Sequence, residues 1–125
     1  MKKVFVVDDE KMITDIVERF LQKSGYDVTV ANSLEEGLSN YTTEYDIAIL
    51  DIMLGNEDSF PLLEKVKQAK PETIVFMFSG YDTEEYISKA KKLGADGFIP
   101  KPFKIEFLSD MLLKKIAMAD KKKSK

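Results

Sequence analysis

The chain has 125 residues, is 44% hydrophobic and carries a formal net charge of −3, which bounds it to one globular domain with a real core and argues against a disordered chain. It contains no cysteine and no histidine, which removes disulfides, thiolate and imidazole metal ligands and every Ser-His or Cys-His nucleophile, leaving carboxylates, hydroxyls and lysines for any chemistry. Residues 1–100 hold 11 basic and 19 acidic groups while residues 101–125 hold 8 and 3, and so acidic a body speaks against direct nucleic-acid binding.

Met1-Lys2-Lys3 leads straight into Val4-Phe5-Val6-Val7, a first strand, with no signal-peptide core and no apolar run long enough for a bilayer. The sequence therefore predicts a cytoplasmic protein without a membrane partner. That strand ends in Asp8-Asp9-Glu10. A helix follows on Ile13, Ile16, Val17, Phe20 and Leu21, with Gly25 just past its end as a C-terminal cap. Val28-Thr29-Val30-Ala31 gives the second strand. Asn32-Ser33 then caps a short helix, with Glu36 three residues after Ser33 as in a capping box and Leu34, Leu38 and Tyr41 on one face.

Ile47-Ala48-Ile49-Leu50-Asp51 is apolar until its last residue and reads as a third strand, buried on both faces, that delivers Asp51 at its carboxyl end. A polar loop, Gly55-Asn56-Glu57-Asp58-Ser59, leads to a helix bearing Leu62, Leu63 and Val66, with Pro61 in its first turn and Pro71 beyond its end. Ile74-Val75-Phe76-Met77-Phe78 is the fourth strand and ends in Ser79-Gly80. A weaker helix from Asp82 to Leu93 shows its core side through Ile87, Ala90 and Leu93, and Gly94 closes it. Phe98-Ile99-Pro100 is a short fifth strand whose proline predicts a sheet edge. The last helix carries Phe107, Leu108, Met111, Leu112 and Ile116. Residues 1–120 thus read as the domain, and Lys121 to Lys125 as a basic tail, either a solvated helix end or the start of a linker.

Five nearly all-apolar strands alternating with five helices predict an α/β fold: a doubly wound five-stranded parallel sheet with flavodoxin-like order 2-1-3-4-5. In such a sheet the working residues gather beyond the carboxyl ends of the strands, at the switch between strands one and three. The polar residues fall at those ends: Asp8 and Asp9, Asp51, Ser79 and Lys101. Each alone has a plainer role, Asp8 or Asp9 as a helix cap, Ser79 as a turn residue and Lys101 as a solvated surface group. Their convergence at four strand ends points instead to a site. Three carboxylates in one crevice repel unless neutralised, which suits Mg2+, while Lys101 adds a fixed positive charge and Ser79 a hydroxyl donor. The set looks like a carboxylate nucleophile, Asp51, arranged to accept a phosphoryl group.

Across about residues 2–119 the sequence resembles the receiver domain of two-component response regulators. Val6-Val7-Asp8-Asp9-Glu10 is similar to that family's acidic opening, Ile49-Leu50-Asp51-Ile52-Met53-Leu54 to its phosphoacceptor strand, Phe78-Ser79-Gly80 to its hydroxyl-bearing strand end, and Gly94 to Phe103 to its lysine-proline segment. The resemblance implies that Asp51 takes a phosphoryl group from the phosphohistidine of a sensor histidine kinase or histidine phosphotransfer protein. It implies Mg2+, with Mn2+ as a substitute, held by Asp8, Asp9, Asp51 and the backbone carbonyl of Met53. Lys101 and Ser79 would contact the phosphoryl oxygens, and the Lys101-Pro102 peptide would be cis. Movement of Ser79 and rotation of Phe98 would change the fourth-helix, fifth-strand and fifth-helix surface that an output partner or domain reads. Such a domain catalyses only its own phosphorylation and dephosphorylation.

The chain departs from the usual pattern at Gly55, where many members have proline, at Ser59, where glycine is common, and at Gly97, where one dimerising subclass carries an acidic residue. Three other functions compete with that reading. A dehalogenase-like phosphohydrolase needs a second aspartate two residues after the nucleophile, where Met53 stands. A flavodoxin-like binder needs a glycine- and hydroxyl-rich loop where Asp8-Asp9-Glu10 would repel an anion. A phosphate-independent interaction module is the remaining alternative.

Overall fold

The computed structural model describes residues 2–123 of the chain. Its main sheet is built from β1 (Lys3–Val7), β2 (Asp27–Ala31), β3 (Ile47–Asp51), β4 (Ile74–Ser79) and β5 (Gly97–Pro100), all parallel, in the order β2-β1-β3-β4-β5. The helices are α1 (Lys11–Lys23), α2 (Leu34–Asn40), α3 (Phe60–Ala69), α4 (Ile87–Lys92) and α5 (Ile105–Lys123). This is the doubly wound, flavodoxin-like architecture expected, with β5 and its Pro100 at an edge. Among the described residues no helix is long and apolar enough to cross a membrane.

The strands are apolar at nearly every position because both faces are covered. Alternate residues supply the two cores: Phe5, Val7, Ala48, Leu50, Val75 and Met77 pack with Leu62, Leu63, Val66 and Ala90 of α3 and α4. Val4, Val6, Ile47, Ile49, Phe76 and Phe78 pack with Val17 and Leu21 of α1 and Leu108 and Leu112 of α5. Ile16 and Phe107, which share the helical spacing, stay 50% and 45% exposed and lie outside these cores.

Local signals set the helix ends. Past α1, Gly25 takes φ +95°, and the bonds from Gly25 N–H to the Gln22 carbonyl and from Tyr26 N–H to the Leu21 carbonyl close a Schellman motif. Ser33 Oγ accepts from Glu36 N–H at 3.0 Å, while Glu36 Oε1 reaches Asn32 N–H at 3.1 Å. Pro61 sits in the first turn of α3, which ends at Ala69.

Two segments differ from the sequence reading. The loop after Asp51 contains a two-residue antiparallel ladder, Met53–Leu54 against Glu57–Asp58, turned by Gly55 at φ +67°. The helix expected from Asp82 to Leu93 is a 3-10 turn over Tyr81–Tyr86, with α-helix only over Ile87–Lys92. The physical reason is Thr83, whose hydroxyl and backbone N–H both turn back onto the Gly80 carbonyl, at 3.0 and 3.1 Å, favouring the tighter i→i+3 winding. The last helix continues through Lys123, which agrees with the helix-end reading of the basic tail; Ser124 and Lys125 lie outside the described residues.

Gly97 on β5 pairs across the sheet with Phe76 on β4. A Cβ at Gly97 would lie 2.9 Å from two ring carbons of Phe76 and 3.3 Å from Met111 Cε. The ring covers the glycine, which explains why no acidic side chain stands there. Gly97→Ala is expected to cost about 1–3 kcal/mol by overpacking, read as a lower urea midpoint. Phe76→Leu should relieve part of that cost in the double variant; a midpoint unchanged by Gly97→Ala would show that the ring yields freely.

Candidate functional site

The carboxyl ends of β1, β3, β4 and β5 bring the polar residues together. Asp8 follows β1 fully buried, Asp51 ends β3 and is 8% exposed, Ser79 ends β4 and is 8% exposed, and Lys101 follows β5 half-buried. Asp9 is exposed at the rim. One carboxylate oxygen each from Asp8, Asp9 and Asp51 lie within 4.8 Å of one another. The sheet forces this proximity because β1 and β3 are hydrogen-bonded neighbours in register.

Lys101 Nζ enters the group from the opposite side. It donates to Asp51 Oδ2 at 3.0 Å, lies 2.7 Å from Asp8 Oδ2 and 3.6 Å from Glu10 Oε1. The Asp8 contact is a short charge contact that engages this buried oxygen. The other Asp8 oxygen accepts from Glu10 N–H at 2.9 Å. Asp8 thus makes a local turn rather than the helix cap of its plainer reading, since Glu10 occupies the N-cap position of α1.

Burial of Asp51 raises its carboxyl to about 7; the Asp8 charge adds to the rise, Lys101 opposes it, and the Asp9 charge adds a smaller rise. Burial alone would lower the Lys101 ammonium, but its contacts with Asp8 and Asp51 more than reverse that, and the net shift is upward. The lysine stays charged while Asp51 sits poised between charge states.

Several supports were not among the expected site residues. Asn32 Nδ2 donates to the Asp8 carbonyl at 2.8 Å and to Thr14 Oγ1 at 3.0 Å, fixing the backbone that presents Asp8. Gly55 N–H donates to Asp9 Oδ2 at 3.1 Å, a bond that a proline there could not make. Met53 lies two residues beyond Asp51 on the small ladder, paired with Asp58. Phe98 is half-buried against the core under α3 and α4. The Lys101-Pro102 peptide is cis, as expected, and Phe103 stacks on Phe78 with centroids 5.0 Å apart.

Residues 4–113 match the family model for the response regulator receiver domain. The alkaline phosphatase synthesis transcriptional regulatory protein PhoP of Bacillus subtilis is 37% identical over 103 residues, covering 82% of this chain and 43% of that protein. A cyclic di-GMP phosphodiesterase of Thermotoga maritima is 30% identical over 105 residues, covering 84% of this chain and 28% of that protein. The chain therefore spans less than half the length of either curated relative. A CheY-like response regulator receiver domain protein from Methanospirillum hungatei superposes with a TM-score of 0.88 at 30% identity, covering 98% of each chain. With the acidic crevice, the strand-end lysine and serine, and this match over nearly its whole length, the chain belongs to the response regulator receiver domains.

Proposed function

We propose that the chain is a phosphoacceptor switch. Asp51 takes a phosphoryl group from the phosphohistidine of a sensor histidine kinase or histidine phosphotransfer protein, in the cytoplasm, and an output protein or domain reads the result. The observation that carries this reading is the placement of Lys101 Nζ between Asp8 and Asp51, 2.7 and 3.0 Å from their oxygens, beside a third carboxylate.

Asp8, Asp9 and Asp51 offer hard oxygen donors within 4.8 Å of one another, two of them shared with the Lys101 ammonium. That donor chemistry fits Mg2+, with Mn2+ as a substitute and the Met53 carbonyl as a further ligand. When bound, the cation would neutralise the carboxylates and the incoming phosphoryl oxygens. In the transfer an Asp51 oxygen forms the new bond to phosphorus as the phosphorus–nitrogen bond breaks, and the imidazole leaves with that electron pair. Lys101 holds a positive charge against the phosphoryl oxygens, and Ser79 donates its hydroxyl to one of them. These contacts exist only in the modified state and add to the charge of the phosphoryl group itself, so they can shift an equilibrium involving Ser79 and Phe98 and the surface of α4, β5 and α5. The chain turns over nothing but its own phosphoryl group.

Intact mass after incubation with acetyl phosphate tests this directly. A gain of one phosphoryl group that needs both Mg2+ and Asp51, and is absent in Asp51→Asn, is expected. Folded, Mg2+-binding protein left unmodified by acetyl phosphate and by phosphohistidine donors would instead favour a phosphate-independent interaction module.

A further inference from the structure

We propose that Thr83 is a positioning residue for this site, acting through the Ser79–Gly80 peptide; the proposal rests on the reading of Ser79 as a phosphoryl contact. Ser79 is the last residue of β4, so its hydroxyl is placed by its own rotamer and by its backbone, which the peptide to Gly80 anchors. That peptide plane is held at both ends. The Ser79 carbonyl accepts from Lys101 N–H at 2.7 Å, and the Gly80 N–H donates to Thr83 Oγ1 at 2.7 Å.

The second clamp has only one arrangement. Thr83 Oγ1 accepts from Gly80 N–H and donates its own hydrogen to the Gly80 carbonyl at 3.0 Å, where Thr83 N–H also donates at 3.1 Å. Donor and acceptor roles of the hydroxyl are therefore both fixed. Thr83 is 4% exposed, so little water competes for these bonds.

Lys101 links the clamp to the chemistry. Its backbone N–H fixes the Ser79 carbonyl while its Nζ donates to Asp51 Oδ2 at 3.0 Å. The hydroxyl, ammonium and carboxylate are thereby referenced to one another through two strand ends, and Thr83 closes the only side of the Ser79–Gly80 peptide that Lys101 does not hold. A valine at position 83 keeps the shape but leaves the Gly80 N–H without this acceptor. With only the Lys101 bond left to hold that peptide, the Ser79 backbone can shift and take its hydroxyl with it from where the phosphoryl oxygen arrives, and a small misplacement of such a group is costly in rate.

The test compares the rate of phosphoryl uptake from acetyl phosphate at saturating Mg2+ in wild type, Thr83→Val, Thr83→Ser and Ser79→Ala, with Thr83→Val also placed in the Ser79→Ala background. Thr83→Val should slow uptake about tenfold, and Thr83→Ser, which keeps the hydroxyl, should restore the rate to within about twofold of wild type. In the Ser79→Ala background Thr83→Val should change nothing further, because its effect passes through the missing hydroxyl. A purely structural role would slow both backgrounds alike and overturns the proposal, as does a Thr83→Val protein with the wild-type rate. Wild type that takes up no phosphoryl group at all would sink the phosphoacceptor reading itself and this proposal with it.

Discussion

In metal-free buffer at about pH 8, Asp51→Asn is expected to unfold at a higher urea concentration than wild type, with a gain of roughly 2–3 kcal/mol. The cause is the environment of Asp51. Burial, with the charge of Asp8, moves its carboxyl from 3.8 to about 7 despite the opposing lysine. Between those values the folded protein holds a proton that the unfolded chain has released, so stability falls as pH rises through the window and the cost is complete above about 7. A shift of that size corresponds to about 4 kcal/mol at 1.36 kcal/mol per unit, and relaxation and water at the crevice mouth reduce it. Asparagine carries no charge to desolvate and can still accept from Lys101. At about pH 4 the carboxyl is protonated in the folded state, so the gap between the two proteins should have closed. Mg2+ should narrow it at pH 8 from the other side, because the cation stabilises the wild-type carboxylates more than the asparagine. Urea melts at both pH values, with chelator and with Mg2+, make the comparison; equal stability at pH 8 in chelator would mean that Asp51 is far better solvated than its burial indicates.

The residues that make this liability were legible in the sequence because each closes a strand. An apolar run that ends in one aspartate has a single reading in a parallel sheet, and strand order then decides which ends meet. That logic points the strand ends that carry Asp8, Asp51, Ser79 and Lys101 toward one crevice. It did not reach the supports. Asn32 follows the second strand and looks like part of a helix cap, yet its amide holds the Asp8 carbonyl across the gap to β1. Glu10 belongs to the acidic opening, but only the structure shows it 3.6 Å from Lys101. The small ladder was invisible because Glu57-Asp58 has no apolar alternation to mark a strand. The 3-10 turn before α4 was hidden for a related reason: periodicity reports which residues face the core, whereas Thr83 sets the winding through hydrogen bonds to Gly80.

Lys101→Met should separate the lysine's structural role from its chemical one. Its ammonium lies 2.7 Å from Asp8, 3.0 Å from Asp51 and 3.6 Å from Glu10, and Asp8 is fully buried. Removing it leaves those carboxylates without their cation, so the metal-free protein at about pH 8 should lose roughly 3–5 kcal/mol. Protonation of Asp51 limits the loss at lower pH, where one of the repelling charges disappears. Mg2+ should recover most of the stability and should bind the variant more tightly than wild type, since no ammonium competes for the same oxygens. Phosphoryl uptake from acetyl phosphate should nevertheless remain about a hundredfold slow, because the carboxylates would hold the cation while the lysine is the charge that reaches Asp51 from β5. Stability and uptake thus part company in one variant. If Mg2+ restores both, the lysine serves only to offset the carboxylates; if chelator-treated Lys101→Met is as stable as wild type, the three contacts around Nζ contribute nothing to the fold.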